Sequence, residues 1–353
     1  MELIPGLPDD VARECLVRLM YRQFSTVLSV SKGWRTQLES PEFYRRRKDT
    51  STSQKLVVMA QARVDPNEVF KFVKYPLIPV HRLTLLEVDT GDRCELPPIP
   101  EFSDGLPLFC QVVSVGSDIV VLGGLDPATW EVSGSVFVFD FVSATWRRGS
   151  DMPGVRRSFF GCASDSDRMV YVAGGHDSDK NALRSAMAYD VAKDEWIQLP
   201  DMARERDECK AIFHGGKLHV IGGYSTEKQG RFERDAEVLD LATWTWNHIQ
   251  QFLESTTCPK TCTSGDDGIY MCQGDYVVAL KGTTWQVVYM LPCDVDNVAY
   301  LAKWQDKLLV IGSAGFGEPH VAYVLDLNKY RWTKMETPRQ YSGHVQSGCY
   351  LEI

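Results

Sequence analysis

Short apolar runs recur along the chain, and each closes on small residues. They are DIVVLGG (118–124), MVYVAGG (169–175), KLHVIGG (217–223) and KLLVIGS (307–313). Runs of four to six residues rich in Val, Ile and Tyr predict strands. Paired glycines at a strand end permit positive φ and close backbone approach. After a variable stretch come second runs ending in aspartate: VFVFD, AMAYD, AEVLD and AYVLD. Asp140, Asp190 and Asp240 are fifty residues apart, and Trp146, Trp196 and Trp246 each follow six residues later; Asp326 and Trp332 repeat that step. The tryptophan opens an outer strand. The unit is therefore four strands in about fifty residues, and units of that kind are propeller blades.

Two further blades are worn. GIYMCQGDYVVALKGTTWQVV (268–288) keeps its strands and Trp285 but has no glycine pair. KLVVMAQ (55–61) and HRLTLLEVDTGDRCELPP (81–98) supply the second to fourth strands of a first blade, with Asp89 in the aspartate place and the tryptophan lost near Cys94. The tail SGHVQSGCYLEI resembles the first strands RSFFGCAS and CKAIFHGG. It is expected to pair with the N-terminal blade and close a ring of six blades, which removes open edges. The fold class is mainly β, a six-bladed propeller preceded by a small helical module; an unrelated β-sandwich is the alternative.

Residues 1–48 have helical periodicity. Pro8 suits a first turn, and Asp9 and Asp10 suit the positive helix end. Val11, Cys15 and Leu19 form one stripe with Leu16 beside it, and Val27, Val30, Trp34 and Leu38 form a second. A module of this size is too small for a robust core, so its leftover apolar surface predicts a partner. The organisation read here is a helical module over 1–48, a linker over 49–54 and the propeller over 55–353. The adaptor and client sites, being far apart on separate modules, are expected to act independently.

The blade motif resembles kelch repeats, and the helical module resembles an F-box at Leu7-Pro8, Asp10, Val11, Leu16, Leu19, Val30, Trp34-Arg35, Leu38 and Pro41-x-Phe43. Ser31 and Met20 depart from the frequent Cys and Pro of that family. The resemblance implies docking of Leu7, Pro8, Val11, Leu16, Leu19, Val30, Trp34 and Leu38 onto a Skp-type adaptor and, through it, a cullin–RING ubiquitin ligase. The whole chain, notably MELIPGLPDDVARECL and SQKLVVMAQARVDP, resembles the KISS ME DEADLY group of plant F-box/kelch proteins. That group implies phenylalanine ammonia-lyase or type-B response regulators of cytokinin signalling as clients. The function expected is substrate recognition in an SCF-type (Skp–cullin–F-box) ligase; the alternative is a non-degradative kelch scaffold with a vestigial F-box.

Composition narrows the alternatives. Net charge is −9. Residues 1–50 carry 9 Lys+Arg against 7 Asp+Glu, so the excess acid lies in the remainder. An acidic body argues against nucleic-acid binding. Met1–Ile4 runs into Pro5 without a basic start or an apolar run, so no secretory signal is expected. No stretch approaches the ~20 apolar residues of a membrane helix. The ten cysteines are read as reduced thiols, and the chain as cytoplasmic and/or nuclear.

No enzyme or cofactor is expected. The seven histidines, His81, His176, His214, His219, His248, His320 and His344, form no His-x-x-x-His or His-Glu-x-x-His. Kelch-type nitrile-specifier proteins use a Glu-x3-Asp-x3-His iron motif, and no Glu here has Asp four residues on. Secreted copper-radical oxidases also use kelch blades, but no export signal is read here. Cys258, Cys262 and Cys272 are spaced more loosely than paired zinc ligands. Arg45–Lys48 is a solvated helix end or a nuclear address.

Long loops on a rigid scaffold carry recognition. In a four-stranded blade the second-to-third loops and the blade-to-blade loops share one face. There, Trp130, Arg157, His176, Arg206, Tyr224, Arg231, Arg234, Phe316, His320, Arg339 and Tyr341 are the candidate client contacts, with Arg156, Arg204 and Phe232 nearby. Clustered arginines favour an acidic client segment.

Overall fold

The computed structural model describes residues 3–65 and 79–353. Among the described residues, twenty-four strands form six four-stranded antiparallel sheets. Blades II to VI each take four consecutive strands. Blade II is Gln111–Val115, Asp118–Leu122, Val136–Asp140 and Thr145–Gly149; blade IV is Lys210–His214, Lys217–Ile221, Ala236–Asp240 and Thr245–Ile249. Blade I takes Lys55–Ala62, His81–Glu87 and Arg93–Glu95 and receives Val345–Glu352 as its innermost strand. The closing register pairs Leu56 with Leu351 and Val58 with Cys349. Gly343 is needed at this junction, because a Cβ there would overlap the Ala62 carbonyl. The tail therefore closes the ring as its sequence predicts.

The repeated residues have repeated jobs. Asp140 accepts hydrogen bonds from the amides of Val142 and Ser143, and Asp326 from Asn328 and Lys329. The turn each caps contains a left-handed residue at Ala144, Asp194, Trp244 or Tyr330. Each tryptophan then reaches the preceding blade. The indole N–H donates to a carbonyl there: Trp146 to Pro97, Trp196 to Ser150, Trp246 to Pro200 and Trp332 to Met290, at 2.8–2.9 Å. Trp285, in the worn blade V, donates to Phe252. Blade I has no such tryptophan, and Arg93 donates to Thr337 at 3.3 Å instead. Each bond contributes about 1 kcal/mol, but each also fixes the angle between neighbouring blades.

Four helices precede the propeller: α1 (Asp9–Val17), α2 (Phe24–Leu28), α3 (Lys32–Leu38) and α4 (Pro41–Asp49). The Ser31 and Ser40 hydroxyls cap α3 and α4 by accepting from the amides of Trp34 and Phe43. The inward face of α1 is Ala12, Leu16 and Val17, so the expected Val11–Cys15 stripe lies outside. The inward residues do not form a separate core. Leu16, Val17, Tyr21, Phe24 and Leu38 join one apolar cluster with Leu56, Leu85, Phe139, Phe141, Leu351 and Ile353. Tyr21 meets Phe141 edge to face at 5.7 Å. Thr52 bonds Val17, and Gln54 exchanges backbone hydrogen bonds with Ile353. The helices and blades I and II therefore share one core.

Candidate functional site

Two surfaces are presented by this frame. The first is the helical module. It packs on blades I and II at the face that carries the first-to-second and third-to-fourth strand turns, as Tyr21 against Phe141 shows. Among the residues expected to meet an adaptor, Pro8, Val11 and Val30 are exposed, and Leu7, Leu19 and Trp34 are half-buried. Leu16 and Leu38, 3% and 0% exposed, belong to the shared core. They support the surface from beneath. The reason is rotation of α1, which turns Leu16 inward and Val11 outward. Trp34 is held by its indole N–H, which donates to Leu3 at 2.6 Å. Exposed Met20 adds to the outer apolar surface. A cleft of about 490 Å³ between α1, α3 and α4 has Leu16, Val17 and Phe43 among its walls and Arg13, Glu42 and Arg46 at its edges.

The second surface is the opposite face. Blade-to-blade segments pair there with the loops between second and third strands, at Leu108 with Leu125, Ser158 with His176 and Asp207 with Tyr224. Both glycines of each pair have positive φ, for example +67° and +82° at Gly174 and Gly175. A Cβ on Gly175 would meet the Ser158 carbonyl at 2.4 Å. The glycine pair thus lets one loop lie against the next.

Arg157 and Arg206, expected to face a client, are 2% and 1% exposed. They brace the loop roots. Arg157 donates to the carbonyls of Gly174 and Ser185 at 3.1 Å and to the Ser185 hydroxyl at 2.8 Å. Arg206 donates to the Gly222 carbonyl at 2.8 Å and to Asp235 and Glu237. Burial pushes the Arg157 guanidinium down to about 10. Burial also opposes the charge on Arg206, but Asp235 and Glu237 outweigh it and hold the group above its ordinary value. Tyr224, His176 and Tyr341 are buried as well. The Tyr224 hydroxyl donates to Glu208 at 2.8 Å, and the Tyr341 carbonyl accepts from Gln61 at 2.7 Å.

His176 sits between the Ser158 hydroxyl, 2.8 Å from Nε2, and Asp207, 2.9 Å from Nδ1. Those distances match a hydrolase triad. However, Ser158 is fully buried, and its amide is occupied by the His176 carbonyl. The array ties blade III to blade IV and offers no opening to a substrate.

Exposed on this face are Trp130, Arg231, Phe316 and Arg339, with Arg234 and His320 half-buried. Arg234 donates to the Glu254 carbonyl at 3.0 Å. Burial, with His344 alongside, pushes His320 down to about 4. Two residues escaped sequence reasoning. Phe109 and Phe159 immediately precede the region of the innermost strands of blades II and III. Both have left-handed φ, +59° and +55°. Their rings lie 4.6 Å apart, and Phe159 stacks on His176 at 5.4 Å. Phe109 is exposed. Bulky residues rarely hold that conformation without a reason. No sequence signal marks it, because the same backbone position in the next blade is Glu208, also left-handed.

All ten cysteines are free thiols. Among the described residues, no three His, Cys, Asp or Glu side chains are placed to hold a metal. No described helix is long and apolar enough to cross a membrane.

Comparison with known proteins finds matches to both parts of the chain. Residues 4–46 match the F-box domain, and residues 110–291 match the KLHDC2/KLHL20/DRC7 Kelch-repeats domain. The chain belongs to the F-box/kelch-repeat family. It is 55% identical to the Arabidopsis thaliana F-box/kelch-repeat protein At1g15670 and 53% identical to At1g80440, covering 100% of both chains in each case. The solved structure of YjhT shares the propeller fold, with a TM-score of 0.58 at 12% identity over 72% of this chain and 91% of that one. F-box/kelch-repeat proteins are generally SCF substrate adaptors. Their F-box binds a Skp-type adaptor of a cullin–RING ligase, and their propeller binds a protein client. The family is of the adaptor type and not enzymatic.

Proposed function

We propose that this F-box/kelch-repeat protein is the client-recognition subunit of an SCF-type ubiquitin ligase. Its outer F-box surface, built on Leu7, Pro8, Val11, Leu19, Val30 and Trp34, docks the Skp-type adaptor. The loop face captures a client through Trp130, Arg231, Arg234, Phe316, His320, Arg339 and the Phe109–Phe159 pair. The client is then ubiquitinated and degraded by the proteasome. The observation that carries this reading is the opposition of the two surfaces. The helices sit on the turn face of blades I and II, the long loops lie on the other face, and one core joins them. Such a body can hold a client at a set distance from the ligase.

The clients we propose follow the resemblance to the KISS ME DEADLY group: phenylalanine ammonia-lyase or type-B response regulators, met in the cytoplasm and/or nucleus. The test is reconstitution with a Skp-type adaptor, cullin and RING subunit. Ubiquitin chains on one of these clients, lost with Leu7→Ala plus Pro8→Ala, support the proposal. Client binding without adaptor binding would instead make the chain a scaffold with a vestigial F-box.

A further inference from the structure

The outermost strand of a propeller blade is a sheet edge, with one row of backbone N–H and C=O groups left unpaired by its own sheet. In this molecule five such strands are three to five residues long, and each carries a charged or histidine side chain. Examples are Arg147 and Arg148 in blade II, Glu195 in blade III, His248 in blade IV, and Arg331 and Lys334 in blade VI. Short length and charge both discourage pairing with another chain.

Blade V departs from this pattern. Its outer strand, Thr284–Met290, has seven residues, TWQVVYM, and no charge. Val287 is 63%, Met290 61% and Tyr289 37% exposed. Val287 lies opposite Val278 and Met290 opposite Tyr276, whereas Tyr289 lies opposite Val277, so exposed apolar groups stand on both faces of the strand. The one register slip, between Val277 and Val278, twists the strand but adds no charge. At its upper end Trp332 and Tyr330 of blade VI reach Met290 and Tyr289, but no long loop of blade V covers it. The connection between the second and third strands is only Gly274-Asp275 here, against seven to fourteen residues in blades II, III, IV and VI.

We propose that this edge is the two-fold contact of a homodimer. Two copies set their Thr284–Met290 strands side by side in antiparallel order, which joins two four-stranded blades into one eight-stranded sheet. A two-fold contact must be self-complementary. An uncharged strand set against its own copy opposes no like charges, whereas blade II paired with itself would set Arg147 and Arg148 against arginines. The hairpin is also polarised, with exposed Asp275 at one end and exposed Lys281 at the other. Antiparallel order turns the acidic end of one copy toward the basic end of its partner. Blade V lies across the ring from blade II. The contact therefore leaves both F-box surfaces and both loop faces open, and the dimer carries two of each.

Sedimentation velocity on the full chain, from low to high micromolar concentration, tests the contact. The wild type is expected to pass from monomer to dimer. Val287→Lys with Tyr289→Lys is expected to stay monomeric with an unchanged melting temperature. If that variant melts early, Gln286→Lys decides the matter, because Gln286 is exposed on the same strand and its lysine would face like charge across the two-fold. A wild type that remains monomeric throughout overturns the proposal. So does a dimer that survives in folded forms of the variants.

Discussion

The Arg47 guanidinium donates a 3.2 Å hydrogen bond to the carbonyl of Ile353, 306 residues further along the chain. The same group donates to the carbonyls of Val17 and Leu19 and lies over the rings of Phe24 and Phe43. One buried cation thus ties the end of the ring-closing strand to the F-box. Burial pushes its pKa down to about 10, which leaves it charged at neutral pH.

Arg47→Met is expected to cost about 3 kcal/mol, because buried carbonyls lose charged donors. The loss should appear in F-box and propeller together. A single calorimetric transition, shifted downward, is the expected result. Two separate transitions would show that the shared core does not couple the two parts.

Deletion of Gly343–Ile353 removes the innermost strand of blade I together with Leu351 and Ile353 of the shared core. Aggregation or a large fall in melting temperature is expected, with adaptor binding lost as well. A soluble truncation that still binds the adaptor would contradict this.

Arg206 is a bracing residue, so reversing it damages the fold before it touches a client. Arg206→Met leaves Glu237 buried without its cation and Asp235 with only Arg204 and His248, and is expected to cost about 3 kcal/mol. Trp130→Ala with Phe316→Ala removes exposed groups and should leave the denaturation midpoint where it is. Urea melts run beside client pull-down separate the two behaviours: the first variant loses both stability and binding, and the second loses binding alone.

Asp118 lies where blade II meets the F-box, in a cleft of about 390 Å³ that it shares with Tyr44, Asp140 and Arg147. Burial, then the Asp140 charge, raise its pKa to about 7. That exceeds the unfolded value of about 3.9, so the folded state holds the proton more tightly. Folding is therefore penalised progressively as pH rises from about 4 to about 7, and fully above that. Asp118→Asn is expected to stabilise the protein at pH 8 by about 1–2 kcal/mol, less than the full shift because water reaches the group. The gain should vanish toward pH 4. A gain independent of pH would assign the effect to packing.

Repetition made the propeller legible in the sequence. A residue that recurs at fifty-residue steps, such as Trp146, Trp196 and Trp246, must do the same local job each time. Capping a turn or reaching the previous blade is local geometry, so spacing alone determined the strand order, the six blades and the closing tail. The apolar periodicity of residues 1–48 determined the helices in the same way. Periodicity did not determine which way a helix faces once a second body is present. Leu16 and Leu38 carry the F-box pattern, yet packing against Leu56, Phe141 and Ile353 turned them inward. Nor did it separate an exposed arginine from one that braces. Arg157, Arg206 and Arg231 read alike as letters, and only the positions of the Gly174 and Gly222 carbonyls and of Asp235 bury the first two. The left-handed backbone at Phe109 and Phe159 leaves no trace in residue type, because it is imposed by loops from neighbouring blades. Local pattern determined the elements, and contacts between residues far apart in the chain decided which of their side chains reach the surface.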